Sequence, residues 1–302
     1  MIDAHSHLGD ILEPHGADLI WKKGVVMKRS FDIQALSEMF LNRTFFYGKI
    51  IYMVMGRVFV RSERARNAAA TLENMSASLE GTGIDYTVCL PLAPYVTFKD
   101  LKKAAAADTR IIPFTSPDFS GGGNGLDGVV RDMKNGARGM KLHPIIQSVS
   151  PVDQRTMELL QGYARFKKPV LVHAGYSSYY SGKDASRERP RFGAIAPIAE
   201  MVSSFPGINF IIGHAGLFQA NSVIKLISRM KNAFIDTSFQ SPHMIRKLVR
   251  SFGAERVLFA SDWPFGMRMP AIRAVEAAFR KDGVLKRMIF HDNAAWLLSP
   301  GD

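Results

Sequence analysis

A (β/α)8 barrel is the fold class the sequence predicts, on three observations. Eight short apolar runs bounded by turn residues recur along 302 residues, stretches with helical periodicity separate most of them, and histidines gather where the runs end. Strands that are apolar throughout, rather than alternating, are buried on both faces, as in a parallel sheet covered by helices. Eight strand–helix units in about this length match a closed barrel. A doubly wound sheet is the competing arrangement, but no Gly-x-Gly-x-x-Gly follows the first run, as dinucleotide binding would require.

The runs follow one another regularly. MIDAHSHL (1–8) comes first, and in an extended strand it turns Asp3, His5 and His7 to one face. DYTVCLPL (85–92) carries the single cysteine, Cys89, read as a buried, inert thiol. RIIPFTSPD (110–118) precedes GGGNG (121–125), which lacks the Lys-Ser/Thr of a phosphate-binding loop and reads as a flexible connection. ARGMKLHP (137–144), PVLVHAG (169–175), NFIIGHAG (209–216), AFIDTSF (233–239) and VLFASDWP (257–264) complete the series. Between them, DQRTMELLQGYARF (153–166), IAPIAEMVSSF (195–205) and HMIRKLVRSF (243–252) have the period of helices.

The spacer between the first two runs is oversized, so the chain reads as one domain, 1–302, with a mainly helical insertion over about 10–80. Its apolar stretch FDIQALSEMFLNRTFFYGKIIYMVMGRVFV is interrupted by Lys49 and Arg57, too soon for a bilayer span. Amphipathic helices forming a lid over the barrel mouth or a subunit interface are the expectation, with a basic membrane-surface helix as the alternative.

An apolar content of 47% with 22% charged residues is that of a chain with a real core. The net charge of +12 is local: between Trp21 and Arg66 ten basic residues stand against three acids. A general nucleic-acid role is therefore not expected, although a basic stripe can meet an anionic surface. One cysteine permits no internal disulfide. No basic leader with an apolar h-region precedes the first run, and a cytoplasmic location is expected.

In this fold, chemistry sits where strands end and βα-loops begin. His5 and His7 close the first strand, Lys141 and His143 the fourth, His173 the fifth, His214 the sixth and Asp262 the eighth. Five of the eight histidines thus fall at one mouth. Three of them with Asp262 form an open site for a divalent cation, zinc or alternatively manganese. His214 is then the candidate proton carrier, and Asp262 both ligand and proton acceptor.

IDAHSH, GMKLHP, LVHAG, IIGHAG, FASDWP and FHDNAAWLL resemble, in order, the amidohydrolase superfamily. The likeness is to the branch of aminocarboxymuconate-semialdehyde decarboxylase and its hydrolase relatives. It implies His5, His7, His173 and Asp262 as metal ligands, and His214 as the residue that orients substrate or activates water. Binuclear members carry a carboxylated lysine on the fourth strand. Lys141 in that role would bridge two metals, with His173 and His214 on the second. The branch most resembled is usually mononuclear, which leaves Lys141 to meet a substrate carboxylate or to pair with an acid. His143 reads equally as a substrate contact or a packing residue. FHDNAAWLL is expected to open the last helix with Asp292 or Asn293 as its cap.

The expected function is hydrolysis of an ester, lactone or amide bond in a small anionic substrate. Non-oxidative decarboxylation of a small carboxylic acid is the alternative. Arg187, Arg189 and Arg191 are possible carboxylate partners. A homodimer is expected. A non-catalytic nucleic-acid or membrane-surface protein ranks below both, and no glutamate ends the fourth strand to match a TatD-type nuclease.

Overall fold

The computed structural model describes residues 1–27, 32–40 and 45–299. All eight runs form strands: β1 (Ile2–Ser6), β2 (Tyr86–Cys89), β3 (Ile111–Pro113), β4 (Met140–Leu142), β5 (Val170–Val172), β6 (Phe210–Ile212), β7 (Ala233–Asp236) and β8 (Val257–Leu258). Before β2 lie α1 (Ile33–Phe40), α2 (Phe45–Asn67) and α3 (Leu72–Leu79). The outer layer then continues with α4 (Phe98–Ala107), α5 (Leu126–Lys134), α6 (Pro144–Gln147), α7 (Gln154–Tyr163), α8 (Ile195–Ser204), α9 (Ala220–Ile227) and α10 (Pro242–Phe252). Three helices, α11 (Arg268–Ala278), α12 (Gly283–Arg287) and α13 (Asn293–Leu298), close the chain.

Strands pair in sequence order, all parallel, from β1 to β3 and from β4 to β8. Two seams complete the cylinder. At one, the Thr115 N–H donates to Gly139 O at 2.9 Å and the Lys141 N–H to Thr115 O at 2.7 Å. Gly139 is required there, because a Cβ would meet the Phe114 ring at 2.4 Å. At the other, the Ala4 N–H donates to Phe259 O at 2.9 Å and the Asp262 N–H to His5 O at 2.8 Å. The second seam brings the first strand's histidines beside Asp262.

The strands read as continuous apolar runs because both of their faces are covered. On β5, Leu171 points into the barrel against Val88, Phe114, Ile211 and Phe234. Its neighbours Val170 and Val172 pack outward against Leu159, Ile198 and Val223 of the helices. Each such side chain contributes about 1.5–3 kcal/mol of burial free energy. Asp3 lies in the layer below the mouth. It accepts from the Ser261 N–H at 2.9 Å and the Ser261 hydroxyl at 2.5 Å, and pairs with Arg268.

The insertion is helical, and α2 leaves helical geometry at Met55. Its last turn is anchored at the mouth. Arg66, buried, donates to Asp32 at 2.9 and 3.0 Å, to Glu38 at 3.0 Å and to the Phe265 carbonyl at 2.7 Å. Part of the apolar stretch noted above, Phe31 and residues 41–44, and the tail 300–302 of the expected domain lie outside the described residues. Among the described residues, no helix is long and apolar enough to cross a membrane.

Two expectations are corrected. Asp292 does not cap a new helix, because the backbone runs without a break from α12 through a π-turn at Met288–Asp292 into α13. Asp282 supplies the cap instead, accepting from the Leu285 N–H, while Asp292 pairs with Arg287 and His291 at the surface. Asn293 is no cap either. Its amide donates to the carbonyls of Ala254 (2.7 Å) and Val257 (2.8 Å), pinning α13 beneath β8. The glycine run ends in structure as well, with Gly125 at φ 70° opening α5.

Candidate metal centre

The barrel mouth gathers the residues the sequence singled out. His5 comes from β1 and His7 from the turn after it, and both are buried. The His7 Nδ1–H donates to the Leu90 carbonyl at 2.9 Å, and the His5 Nδ1–H to Asp236 Oδ2 at 2.8 Å. These bonds fix both tautomers, so each Nε2 carries a lone pair. The two Nε2 atoms lie 3.3 Å apart.

Asp262 faces them. Its Oδ1 is 3.2 Å from His5 Nε2 and 3.4 Å from His7 Nε2, and it is buried without a hydrogen-bond partner among the described residues. Two imidazole lone pairs and an orphaned carboxylate oxygen converging in a buried site repel one another. A divalent cation relieves that repulsion, and two imidazoles with a carboxylate are the donors zinc takes. The residues present therefore fit a metal. The carboxylate of Asp236 behind His5 is the outer partner that metal-binding histidines commonly have.

Burial tunes the whole cluster. It is the largest cause holding His5, His7, His143 and His214 well below the ordinary histidine range, and it brings His173 down to about 3. All five imidazoles are therefore neutral at pH 7, the form that binds cations. Asp262 is pushed well above the ordinary carboxylate range by burial, against the attraction of Lys141. Lys141 is fully buried with its Nζ 3.3 Å from His5 Nε2. Burial lowers it to about 8, opposed by the charges of Asp262 and Asp236.

The other expected residues are nearby but turned differently. His173 Nε2 donates to the Gly175 carbonyl (3.3 Å) and meets Ser177 Oγ at 3.1 Å, so that nitrogen is engaged away from the His5–His7–Asp262 focus. Its ring stacks on His143 at 4.1 Å and meets His214 edge-on at 5.1 Å. His143 accepts from the Ile146 N–H at the start of α6, and its Nε2 lies 3.3 Å from the Tyr179 hydroxyl. His214 stacks on His5 at 4.7 Å, with Nδ1 2.8 Å from Ser238 Oγ and 3.7 Å from Asp262 Oδ2. His214 and Asp262 both hold left-handed backbone, at φ 56° and 58°, a strained conformation that clusters at functional sites.

Three features were not foreseen. Asp236 at the end of β7 joins His5, and with His5 and His214 it makes a second trio of metal-capable groups; the signal was one acid closing the apolar run AFIDTSF. Glu63 of α2 has a buried oxygen without a hydrogen-bond partner among the described residues and lies within electrostatic reach of Asp262 and Glu188. The three arginines are engaged elsewhere. Arg187 pairs with Glu13 and lies over the Tyr180 ring, Arg189 donates to the Ser186 and Glu188 carbonyls, and Arg191 lies over Phe192.

Residues 2–299 match the family model described as Amidohydrolase. No curated protein matches the sequence. Among solved structures, an uncharacterised TIM-barrel protein from Bordetella bronchiseptica is similar at 17% identity, covering 99% of this chain and 98% of its own, with a TM-score of 0.65. The 5-carboxyvanillate decarboxylase of Sphingomonas paucimobilis is similar at 13% identity, 99% and 98% coverage and a TM-score of 0.64. The probable 2-pyrone-4,6-dicarboxylic acid hydrolase of Acinetobacter baumannii, solved with citric acid bound, gives 12%, 98% of both chains and 0.60. At these identities the solved structures establish the barrel fold.

Proposed function

The chain belongs to the amidohydrolase family, and from that premise we propose a metal-dependent hydrolase that opens an ester, lactone or amide bond in a small carboxylate-bearing substrate. The observation that carries the reading is the convergence of His5 Nε2, His7 Nε2 and the unpartnered Asp262 Oδ1. These three are the proposed holders of one divalent cation, and His173, whose Nε2 is engaged by Gly175 and Ser177, would be the fourth donor through its other ring nitrogen, Nδ1. The cation, zinc or manganese, would supply Lewis acidity that activates water and polarises a substrate carbonyl.

The chain's own groups divide the remaining work. Lys141, a buried cation beside the ligands, holds a substrate carboxylate. His214 carries a free Nε2 and takes the proton released on attack, with Asp262 Oδ2 beside its ring. His143 and Tyr179 supply hydrogen bonds on the adjoining wall. Phe265, packed edge-on to His7 and to Tyr179, excludes water from one side.

Decarboxylation is the second reading, favoured by Lys141 lying 3.3 Å from His5 Nε2. A carboxylate held there would lie beside the residues proposed to hold the cation. Its C–C bond would break with the electron pair left on the ring carbon as carbon dioxide departs, and that carbon takes a proton from His214 once the neutral imidazole has gained one from solvent at Nε2.

The test is to load purified protein with zinc or manganese and offer 2-pyrone-4,6-dicarboxylic acid and 5-carboxyvanillate separately. Lactone opening without carbon dioxide supports hydrolysis, and carbon dioxide from the aromatic acid supports the second reading. His214→Ala is expected to keep its metal and lose about 10²–10⁴-fold in turnover. Full turnover in that variant, or in chelator-stripped protein, would overturn the mechanism.

A further inference from the structure

We propose that the loop after β7, Asp236–Gln240, is the positioning element of the site: Asp236 and Ser238 together set the tautomers of His5 and His214. This deepens the reading above and rests on it for the roles of those two histidines.

The geometry is a continuous chain of hydrogen bonds between fully buried groups. The Ser238 hydroxyl donates to Asp236 Oδ1 at 2.5 Å, so its oxygen accepts from the His214 Nδ1–H at 2.8 Å. The other Asp236 oxygen accepts from the His5 Nδ1–H at 2.8 Å. The Ser238 N–H returns to Asp236 Oδ1 at 3.0 Å, holding the carboxylate in one orientation. One acid thus leaves two imidazoles with an Nε2 lone pair, one for the cation and one for the proton.

The same loop holds the backbone that presents His214. The Gln240 side-chain amide donates to the His214 carbonyl at 2.6 Å and the Leu217 carbonyl at 3.2 Å. Those carbonyls bracket a run of residues at positive φ, His214, Ala215, Gly216 and Leu217. Three of the four carry a Cβ and are strained at a positive φ, and Gln240 ties the two ends of the run. Phe239 lies against the His214 ring at 5.4 Å. Within five residues the loop therefore fixes one histidine's tautomer and the other's tautomer, ring face and main chain.

The arrangement predicts an asymmetry that simple loosening of the fold would not produce. Zinc affinity is measured by competition with a chromogenic chelator, and the His214 tautomer by ¹⁵N imidazole shifts in the zinc-loaded protein. Asp236→Ala is expected to weaken zinc about 10–100-fold, with Asp236→Asn, which keeps an acceptor oxygen, in between. Ser238→Ala is expected to leave zinc affinity within about twofold while moving the His214 signals away from the Nδ1–H pattern, and Ser238→Thr to restore them.

Equal loss of zinc in Ser238→Ala and Asp236→Ala would overturn the proposal, as would unmoved His214 signals in Ser238→Ala. Two zinc ions in the native protein and one in Asp236→Asn would make Asp236 a ligand, and would overturn it as well. Zinc binding indifferent to His5→Ala would instead sink the metal reading and with it the Asp236 half, while the His214 signals still decide the Ser238 half.

Discussion

Replacing Glu63 by Gln should change how stability depends on pH, with a sign set by burial. Burial raises this carboxyl from its ordinary 4.5 to about 8, with the nearby charge of Glu188 adding to the effect and Arg66 opposing it. Below pH 4.5 the group is protonated whether the chain is folded or not, so it adds no pH dependence. Between 4.5 and 8 the unfolded chain ionises while the folded chain keeps its proton. Native stability is therefore lost as pH rises, by about 1.4 kcal/mol per unit at most. The rise to about 8 sets a ceiling near 5 kcal/mol. The residue retains partial solvent contact, and screening brings the expected figure to about 2 kcal/mol. Glu63→Gln has no proton to lose. Urea denaturation from pH 5 to pH 9 should give variant and native stabilities that agree near pH 5 and diverge by about 2 kcal/mol in the variant's favour at pH 9. Parallel curves across that range would refute the burial argument.

Arg66→Met should cost about 3–5 kcal/mol, because it strips partners from the buried Glu38 and from the Phe265 carbonyl. Hydrogen exchange should then rise together in α2 and in the 262–267 loop, and unchanged protection there would count against the anchor. Asn293→Ala should cost about 1–2 kcal/mol in thermal or chemical unfolding, since the Val257 carbonyl loses the Asn293 amide while the Ala254 carbonyl keeps the Val257 N–H. Zinc at a thousandfold excess over its Kd should stabilise the native protein by about 4 kcal/mol. His7→Ala should lose most of that gain, and an equal gain in the variant would place the ion elsewhere.

The barrel was legible because its strands are covered on both faces, so the apolar runs needed no phase to be recognised. Their ends were less so: VLFASDWP yields only a two-residue strand, Val257–Leu258, before the chain turns left-handed at Asp262. The residues that meet at the mouth were legible where two share a short motif, as in His5 with His7 and Lys141 with His143, or where one polar residue closes an apolar run, as in His173, His214 and Asp262. Asp236 escaped because a lone acid in an apolar run has no partner in sequence; its partner, His5, lies 231 residues away. Glu63 escaped for a related reason, since its burial depends on how α2 seats on the mouth, which periodicity does not encode. Asp292 and Asn293 misled because a helix passing through a π-turn looks, in sequence, like a helix beginning.

Anomalous diffraction from crystals of zinc-loaded protein, collected on both sides of the zinc edge, would locate the ion. One strong peak is expected about 2.0–2.2 Å from His5 Nε2, His7 Nε2 and an Asp262 oxygen, with Lys141 as a plain side chain. A peak bound outside that trio, or none in a fully loaded crystal, would contradict the proposed metal centre.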